Sequence, residues 1–347
     1  MLIAGDIGGT KTLLAFYTEA GGAREPAVVR EFPSERFAGL GDVVRAFLAE
    51  VRQQVTAACF DVAGPVIDGR AQLTNLPWVV DERALAEELG LAQVSVINDL
   101  KAVAYAVPHL QDEDLRTINP GTAEEHGPIA IVAPGTGLGE AFLIWDGSRY
   151  IPCASEGGHA DFGPGDPEQA ALWAYLYEKF GHVAYERVCS GSGIPGIYEF
   201  LRAQKPADER ADERANEPAN EPAEFAAVLA AAHDRTPAIV AAGLEDGAKN
   251  PLAARTLDLF VSILGAEAGN LALKVLATGG VYLAGGMPER ILPRLGDGRF
   301  MRAFADKGRF ATLLGTIPVK VVVTRAALLG AALYGLDALR RGGAGRG

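Results

Sequence analysis

Several short stretches hold the residues whose types and spacing could do chemistry. "AGDIGGTKT" sets Asp6 directly before Gly8, Gly9, Thr10 and Lys11. Consecutive backbone N–H groups at glycines converge into an anion nest that no side chain blocks. Thr10 adds a hydroxyl donor, and a carboxylate facing the same phosphate must act through a metal ion or a water. Gly5, Asp6, Gly8, Gly9, Thr10 and Lys11 are therefore candidate phosphate ligands, with Asp6 holding a magnesium ion directly or through water. A second turn, "PGTGLGE", repeats the glycine pattern with Gly135, Thr136, Gly137 and Gly139. "GGVYLAGGM" adds Gly285 and Gly286, where a flat adenine ring could approach the backbone; the same glycines also fit a strand closed by ordinary turns. Neither GxxxxGK[ST] nor GxGxxG followed by a helix occurs, so the two common nucleotide-binding loops lose support.

Two further stretches suit a polar substrate. "INDL" places Asn98 and Asp99 at the carboxyl end of a buried strand, where open α/β sheets present ligand groups. Because "LKAVAYAV" follows, a helix cap is the competing reading. "SEGGH" brings Glu156 and His159 together beside two glycines, an acceptor and a donor suited to hydroxyl groups; a satisfied loop histidine is the alternative. Glu186, in "AYERVCSGSG", reads on local grounds as a solvated helical glutamate.

The elements that position these residues follow from periodicity. Residues 2–18 read as strand, glycine turn and strand, "REFPSE" as a third strand, and Leu40–Gln54 as a helix with one apolar face. "TAACFDVAGPV" and "VSVIND" are buried strands separated by a helix that Asp81 caps. Residues 129–152 repeat the opening pattern about 130 residues later, which implies two similar domains. A long apolar helix over 251–276, the strand of "GGVYLAGGM", a strand over 318–323 and a final helix complete the chain. Residues 204–224 differ in kind: the acidic repeat "ADERADERANEPANEP" has no large apolar residue, and Pro218 and Pro222 interrupt any helix, so it reads as a solvated loop insertion.

The 347-residue length suits two domains. A net charge of −12 opposes a nucleic-acid groove or an anionic membrane surface. Cys59, Cys153 and Cys189 are far apart and contain no CxxC pair, which fits a reducing, cytoplasmic setting without structural zinc. No signal-peptide pattern and no uninterrupted apolar span of membrane length is read.

The glycine elements, in this order and spacing, resemble the two phosphate segments and the adenosine segment of the actin, sugar-kinase and chaperone ATPase superfamily. With "GDIGGTKT", "LTNLPW", "INDLKAVAYAVP", "APGTGLG", "SEGGHADF", "GHVAYERVCSGSG", "GNLALK", "GGVYLAGG" and "DKGRF", the chain more closely resembles the bacterial glucokinase family. The resemblance implies a two-domain actin-like ATPase (ribonuclease H-like) α/β fold with its active site in the interdomain cleft. Residues 1–109 with 325–347 would form a small α/β domain and 110–324 a larger α+β domain.

It further implies ATP-dependent phosphorylation of D-glucose to glucose 6-phosphate, the first step of glycolysis, in a cytoplasmic homodimer that binds no nucleic acid or membrane. By residue, it implies Asp99 as the base and Asn98, Gly137, Glu156, His159 and Glu186 as sugar ligands. The ATP and Mg2+ contacts are those at the glycine turns already named. The rivals are a ROK-type sugar kinase of other hexose specificity, whose CxCGxxGC zinc cluster is absent from this sequence, and a non-kinase actin-like ATPase. "VVVTRAALLGAA" stands where the family often has an Asn-Pro-Gly-like turn, and no site is assigned there.

Overall fold

The computed structural model of the chain describes residues 1–18, 20–73, 76–204, 221–245 and 249–344. It divides into two compact units: Met1–Asp112 with Pro152–Ala154 and Thr324–Gly347, and Glu113–Ile151 with Ser155–Val323. The first unit runs β1 Leu2–Ile7, β2 Lys11–Tyr17, β3 Val28–Pro33, α1 Leu40–Val51, β4 Ala57–Val62, β5 Arg70–Gln72, β6 Val79–Asp81, α2 Glu82–Leu89, β7 Gln93–Asn98 and α3 Asp99–Ala106. Then follow β8 Leu115–Asn119, β9 Ile129–Pro134, β10 Leu138–Trp145, β11 Tyr150–Ser155, α4 Pro167–Phe180, α5 Ile194–Ala203, α6 Ala223–Ala231, α7 Thr236–Leu244 and α8 Pro251–Val275. The chain continues through β12 Gly280–Leu283, α9 Gly286–Arg290, α10 Leu292–Leu295, α11 Arg299–Ala305, α12 Ala311–Thr316, β13 Val319–Val322 and α13 Ala326–Ala344.

In the first unit the sheet order is β3-β2-β1-β4-β7, with β1 antiparallel to β2 and parallel to β4. Both faces of this sheet are covered, so its strands read as nearly unbroken apolar runs. Ile3, Ile7, Phe16 and Phe60 pack with Val43, Val44 and Phe47 of α1 on one face. Leu2, Ala4, Cys59 and Ile97 pack with Ala102 of α3 and Leu328, Ala331 and Ala332 of α13 on the other. The alternation of the pleat decides which residue joins which core. Asp6 and Asp61 continue the second series, Leu2–Ala4 and Ala57–Cys59, and so point to the face that carries α3 and α13. Gly330 lets α13 lie close to α3, since a Cβ there would overlap the Ala102 carbonyl. Asp81 caps α2 as the sequence predicts, accepting from the Arg83 and Ala84 amides at 3.0 Å each.

The second unit repeats the arrangement with one added strand, in the order β11-β10-β9-β12-β13-β8. The antiparallel pair β9–β10 is followed by β12 parallel to β9 and β13 parallel to β12. Helix α8 backs this sheet: Leu257, Phe260, Leu264 and Ala268 share a core with Ala130, Val132 and Val281. By length and composition α8 could cross a membrane, yet 72% of its apolar window is buried inside the fold.

Residues 205–220 of the acidic repeat lie outside the described residues. The end of the expected 204–224 loop needs correction, because Ala223 and Glu224 already belong to α6. Glu221 accepts from the Tyr198 hydroxyl at 2.6 Å, and its side chain is 7% exposed. This polar partner on α5 holds Glu221 against the second unit.

Candidate active site

In the first unit three carboxyl groups converge where the parallel strands end. The β1–β4 register sets Asp6 directly beside Asp61, and β4 pairs with β7 up to Val62 and Asn98, one residue before Asp99 opens α3. Asp61 is fully buried, and neither of its oxygens has a hydrogen-bond donor. A buried carboxyl without a donor keeps its proton. Burial pushes Asp61 well above the carboxylate range, and the charges of Asp6 and Asp99 push it further. The bond between the two aspartates raises Asp61 and lowers Asp6, which keeps the proton on Asp61. Asp6 is itself raised by burial, with the bond from Asp61 and the charge of Arg325 working in the opposite direction. Asp99 is likewise raised by burial, with the Leu100 amide opposing and the charge of Asp6 adding to the rise.

Asn98 and Asp99 stand at the carboxyl end of β7 and the start of α3. Asn98 is the N-cap of α3, its Oδ1 accepting from the Lys101 amide at 3.1 Å. Both hydrogens of its amide are used, on the Gly64 carbonyl at 3.0 Å and on Asp99 Oδ1 at 2.9 Å. Any ligand hydroxyl at Asn98 must therefore donate to it. Asp99 Oδ1 also takes the Leu100 amide at 2.8 Å, so these two bonds fall on one oxygen of the carboxyl.

The opening glycine hairpin is closed by the Gly8 amide on the Lys11 carbonyl at 2.9 Å, which removes the Gly8 N–H from the nest. Ser34 pins the turn through Gly8 O at 2.9 Å and Thr12 Oγ1 at 3.0 Å. Gly5 lies within β1, where a Cβ would press on Leu14 and Phe60, so its glycine serves packing. Lys11 is paired with Glu31 at 2.7 Å, with both side chains largely exposed. Such a surface pair is worth about 1 kcal/mol or less, so it does little to hold Lys11 from another anion.

In the second unit the "PGTG" turn between β9 and β10 is closed by the Gly135 amide on the Gly137 carbonyl at 2.9 Å. The Gly191 and Ser192 amides donate to the carbonyls of Gly135 and Thr136 at 2.8 and 3.2 Å. Gly285, at φ +84°, lies against the Pro134 carbonyl, and a side chain there would be both strained and crowded. The second glycine turn and the Gly285–Gly286 turn are thus neighbours. Glu186 differs from its local reading as a solvated helical residue: it sits half-buried in the 3-10 turn Tyr185–Arg187 and accepts from the Leu138 amide at 3.0 Å. A Cβ on Gly137 would overlap its Oε2, so Gly137 and Glu186 meet. Glu156 and His159 are exposed at the ends of one tight turn, closed by the His159 amide on the Glu156 carbonyl at 3.0 Å.

The model of the Glucokinase family matches residues 3–338. The glucokinase of Synechocystis sp. is 42% identical over 346 residues, covering 95% of this chain and 96% of that protein. The chain belongs to the glucokinase family. The solved structure of a glucokinase from an Antarctic psychrotroph, 31% identical, covers 97% of this chain and 98% of its own with a TM-score of 0.78. A ROK-family glucokinase from Streptomyces griseus, solved with glucose and AMPPNP, shares the fold at 20% identity and a TM-score of 0.62. These relatives give the glucokinase-family chain the sugar-kinase form of the actin-like ATPase fold, with the α/β class that the resemblance implies.

Three residues escaped the sequence reading. Asp61 interrupts "AACFDV", and a lone acid in a strand whose six residues are all buried is the signal that could have revealed it. Arg325, on the segment to which no site was assigned, contributes the cationic field at Asp6. Glu140 breaks the alternation of "LGEAFLIW" and is 1% exposed.

Proposed function

We propose that this member of the glucokinase family transfers the γ-phosphoryl group of ATP to the 6-hydroxyl of D-glucose, giving glucose 6-phosphate and ADP. The observation that carries the reading is Asp99, a carboxyl at the end of a parallel strand with two hydrogen bonds on one oxygen. A positioned carboxylate takes the proton of the attacking hydroxyl as the O–P bond forms. The backbone bond from Leu100 and the amide of Asn98 fix its orientation, and burial, with the charge of Asp6 adding, makes it a stronger base than an isolated aspartate.

Asn98, Gly137, Glu156, His159 and Glu186 are assigned to the remaining hydroxyls, and the turns at 8–11, 135–137 and 285–286 to the nucleotide. Among the described residues no three His, Cys, Asp or Glu side chains form a metal cage. Magnesium, which keeps waters and phosphate oxygens as most of its ligands, fits a site with a single carboxylate such as Asp6, backed by the proton of Asp61. When bound, the ion would neutralise charge on the phosphates. The same reading gives a cytoplasmic homodimer at the entry to glycolysis.

The test is product formation from ATP over a panel of glucose, mannose, fructose and no sugar. Glucose-dependent ADP release with phosphate on O6 supports the reading. ATP hydrolysis at one rate with or without sugar would instead favour a non-kinase ATPase.

A further inference from the structure

Beneath the "SEGGH" turn lies a buried acid pair that the proposed reaction does not use. Glu140, on β10, is 1% exposed and Glu267, on α8, is fully buried. Glu140 Oε1 and Glu267 Oε1 both lack a hydrogen-bond donor. Two carboxyl groups in such a place hold one proton between them, and here Glu140 donates it to Glu267. The rest of the cluster is polar and ordered. Asn270 donates to Glu267 Oε2 and to the Tyr185 hydroxyl at 2.9 Å each, and Lys274 stands 3.6 Å from Glu267 Oε1.

The other groups that face the pair are the Cys189 thiol, raised by burial and by both glutamates, and Lys307, lowered by burial while Glu267 opposes.

The turn rests directly on this cluster. A Cβ on Gly157 would overlap Glu140 Oε2, and one on Gly158 would overlap the Leu138 carbonyl. Ser155 Oγ accepts from the Gly157 amide at 2.9 Å and lies against the same spot. No side chain separates residues 157–158 from β10. The Tyr185 amide donates to the Ala160 carbonyl at 3.0 Å, which ties the segment after His159 to the turn that carries Glu186.

We propose that Glu140, through its bond to Glu267, is the positioning residue of the 155–159 turn and thereby sets the affinity of the protein for hexose. The inference rests on the assignment of Glu156 and His159 to the sugar. Burial, with the charge of Glu267 adding and Lys274 opposing, pushes Glu140 up to about 8. Above that pH two buried like charges face each other directly under Gly157, and the turn loses its floor.

The experiment compares wild type with Glu140→Gln, whose amide keeps the shape and donates to Glu267 at every pH. In the wild type, KM for glucose should rise about tenfold between pH 7 and pH 9, the change in the protonated fraction of one such group, with KM for ATP steady. In Glu140→Gln the rise should vanish. A second readout needs no sugar. A carboxyl whose value is raised in the folded state contributes stability that is complete below its unfolded value and is lost as pH rises through the folded one. The melting temperature of the wild type should therefore fall toward pH 8, and that part of the fall should be absent from Glu140→Gln.

If Glu140→Gln does not fold, Gly157→Ala, which displaces the Glu140 carboxyl, should raise KM for glucose several-fold at pH 7 with kcat unchanged. A flat wild-type KM from pH 7 to 9, or a rise that persists in Glu140→Gln, overturns the positioning role while hexose-dependent turnover stands. If ATP turnover does not depend on hexose at pH 7, the kinase reading itself falls, and the positioning role falls with it.

Discussion

The two units each bury acids without donors, and they do so in opposite settings. In the first, fully buried Asp61 stands behind Asp6 and Asp99, which are both partly exposed at the ends of parallel strands. In the second, Glu140 and Glu267 are both closed off, and the nearest backbone is that of a turn whose own side chains, Glu156 and His159, are exposed. An uncompensated buried carboxyl costs several kcal/mol if it ionises, so each unit keeps a neutral acid in its interior. What differs is what each buried acid stands beside: further acids at strand ends in the first, and the backbone of a turn in the second. A perturbed acid thus marks a functional region without naming its role, and the role follows from what the acid touches.

The largest effect should come from Asp99→Asn, which keeps the shape and removes the base: kcat should fall by about 10²-fold or more. Turnover near the wild-type rate would reduce Asp99 to the first residue of α3. Next comes Asp61. Asp61→Leu takes the donor away from Asp6 and should raise KM for MgATP roughly tenfold, in line with the loss of a bond to a charged group. Asp61→Asn still donates and should stay near wild type; equal damage from both substitutions would show that Asp61 serves packing alone.

On the other side of the comparison, His159→Ala should raise KM for glucose several-fold, leaving KM for ATP alone, because it strips one partner from a sugar hydroxyl. A matching change in KM for ATP would break the assignment of His159 to the sugar. The smallest effect concerns neither site. Glu221→Ala leaves the buried Tyr198 hydroxyl without its acceptor and should cost about 1–2 kcal/mol in denaturant unfolding, whereas deletion of 207–220 should leave both activity and melting temperature almost unchanged.

Much of this was legible in the chain because local signals agreed with the fold. The glycine turns, the Asp81 cap and the apolar face of α1 each follow from neighbours within a few residues. So does the helix cap in "INDL", which Asn98 supplies while Asp99 beside it opens α3. What escaped depends on register and on distant segments. Asp61 matters because β4 pairs in register with β1, and Arg325 because α13 packs on the sheet face that carries Asp6. Glu140 matters because α8, more than 100 residues later, brings Glu267 to it. The local reading of Glu186 as solvated failed for the same reason: its neighbours Leu138 and Gly137 belong to the β9–β10 hairpin, and no periodicity within "AYERVCSGSG" reports them.

The central claim, that Asp99 is the base of the transfer, is tested most directly by calorimetric titration of glucose into Asp99→Asn. The account predicts a dissociation constant within about threefold of wild type, since removing a base costs the transition state and leaves ground-state binding nearly intact. A loss of affinity as large as the loss of turnover would contradict it and make Asp99 a sugar ligand instead of the base.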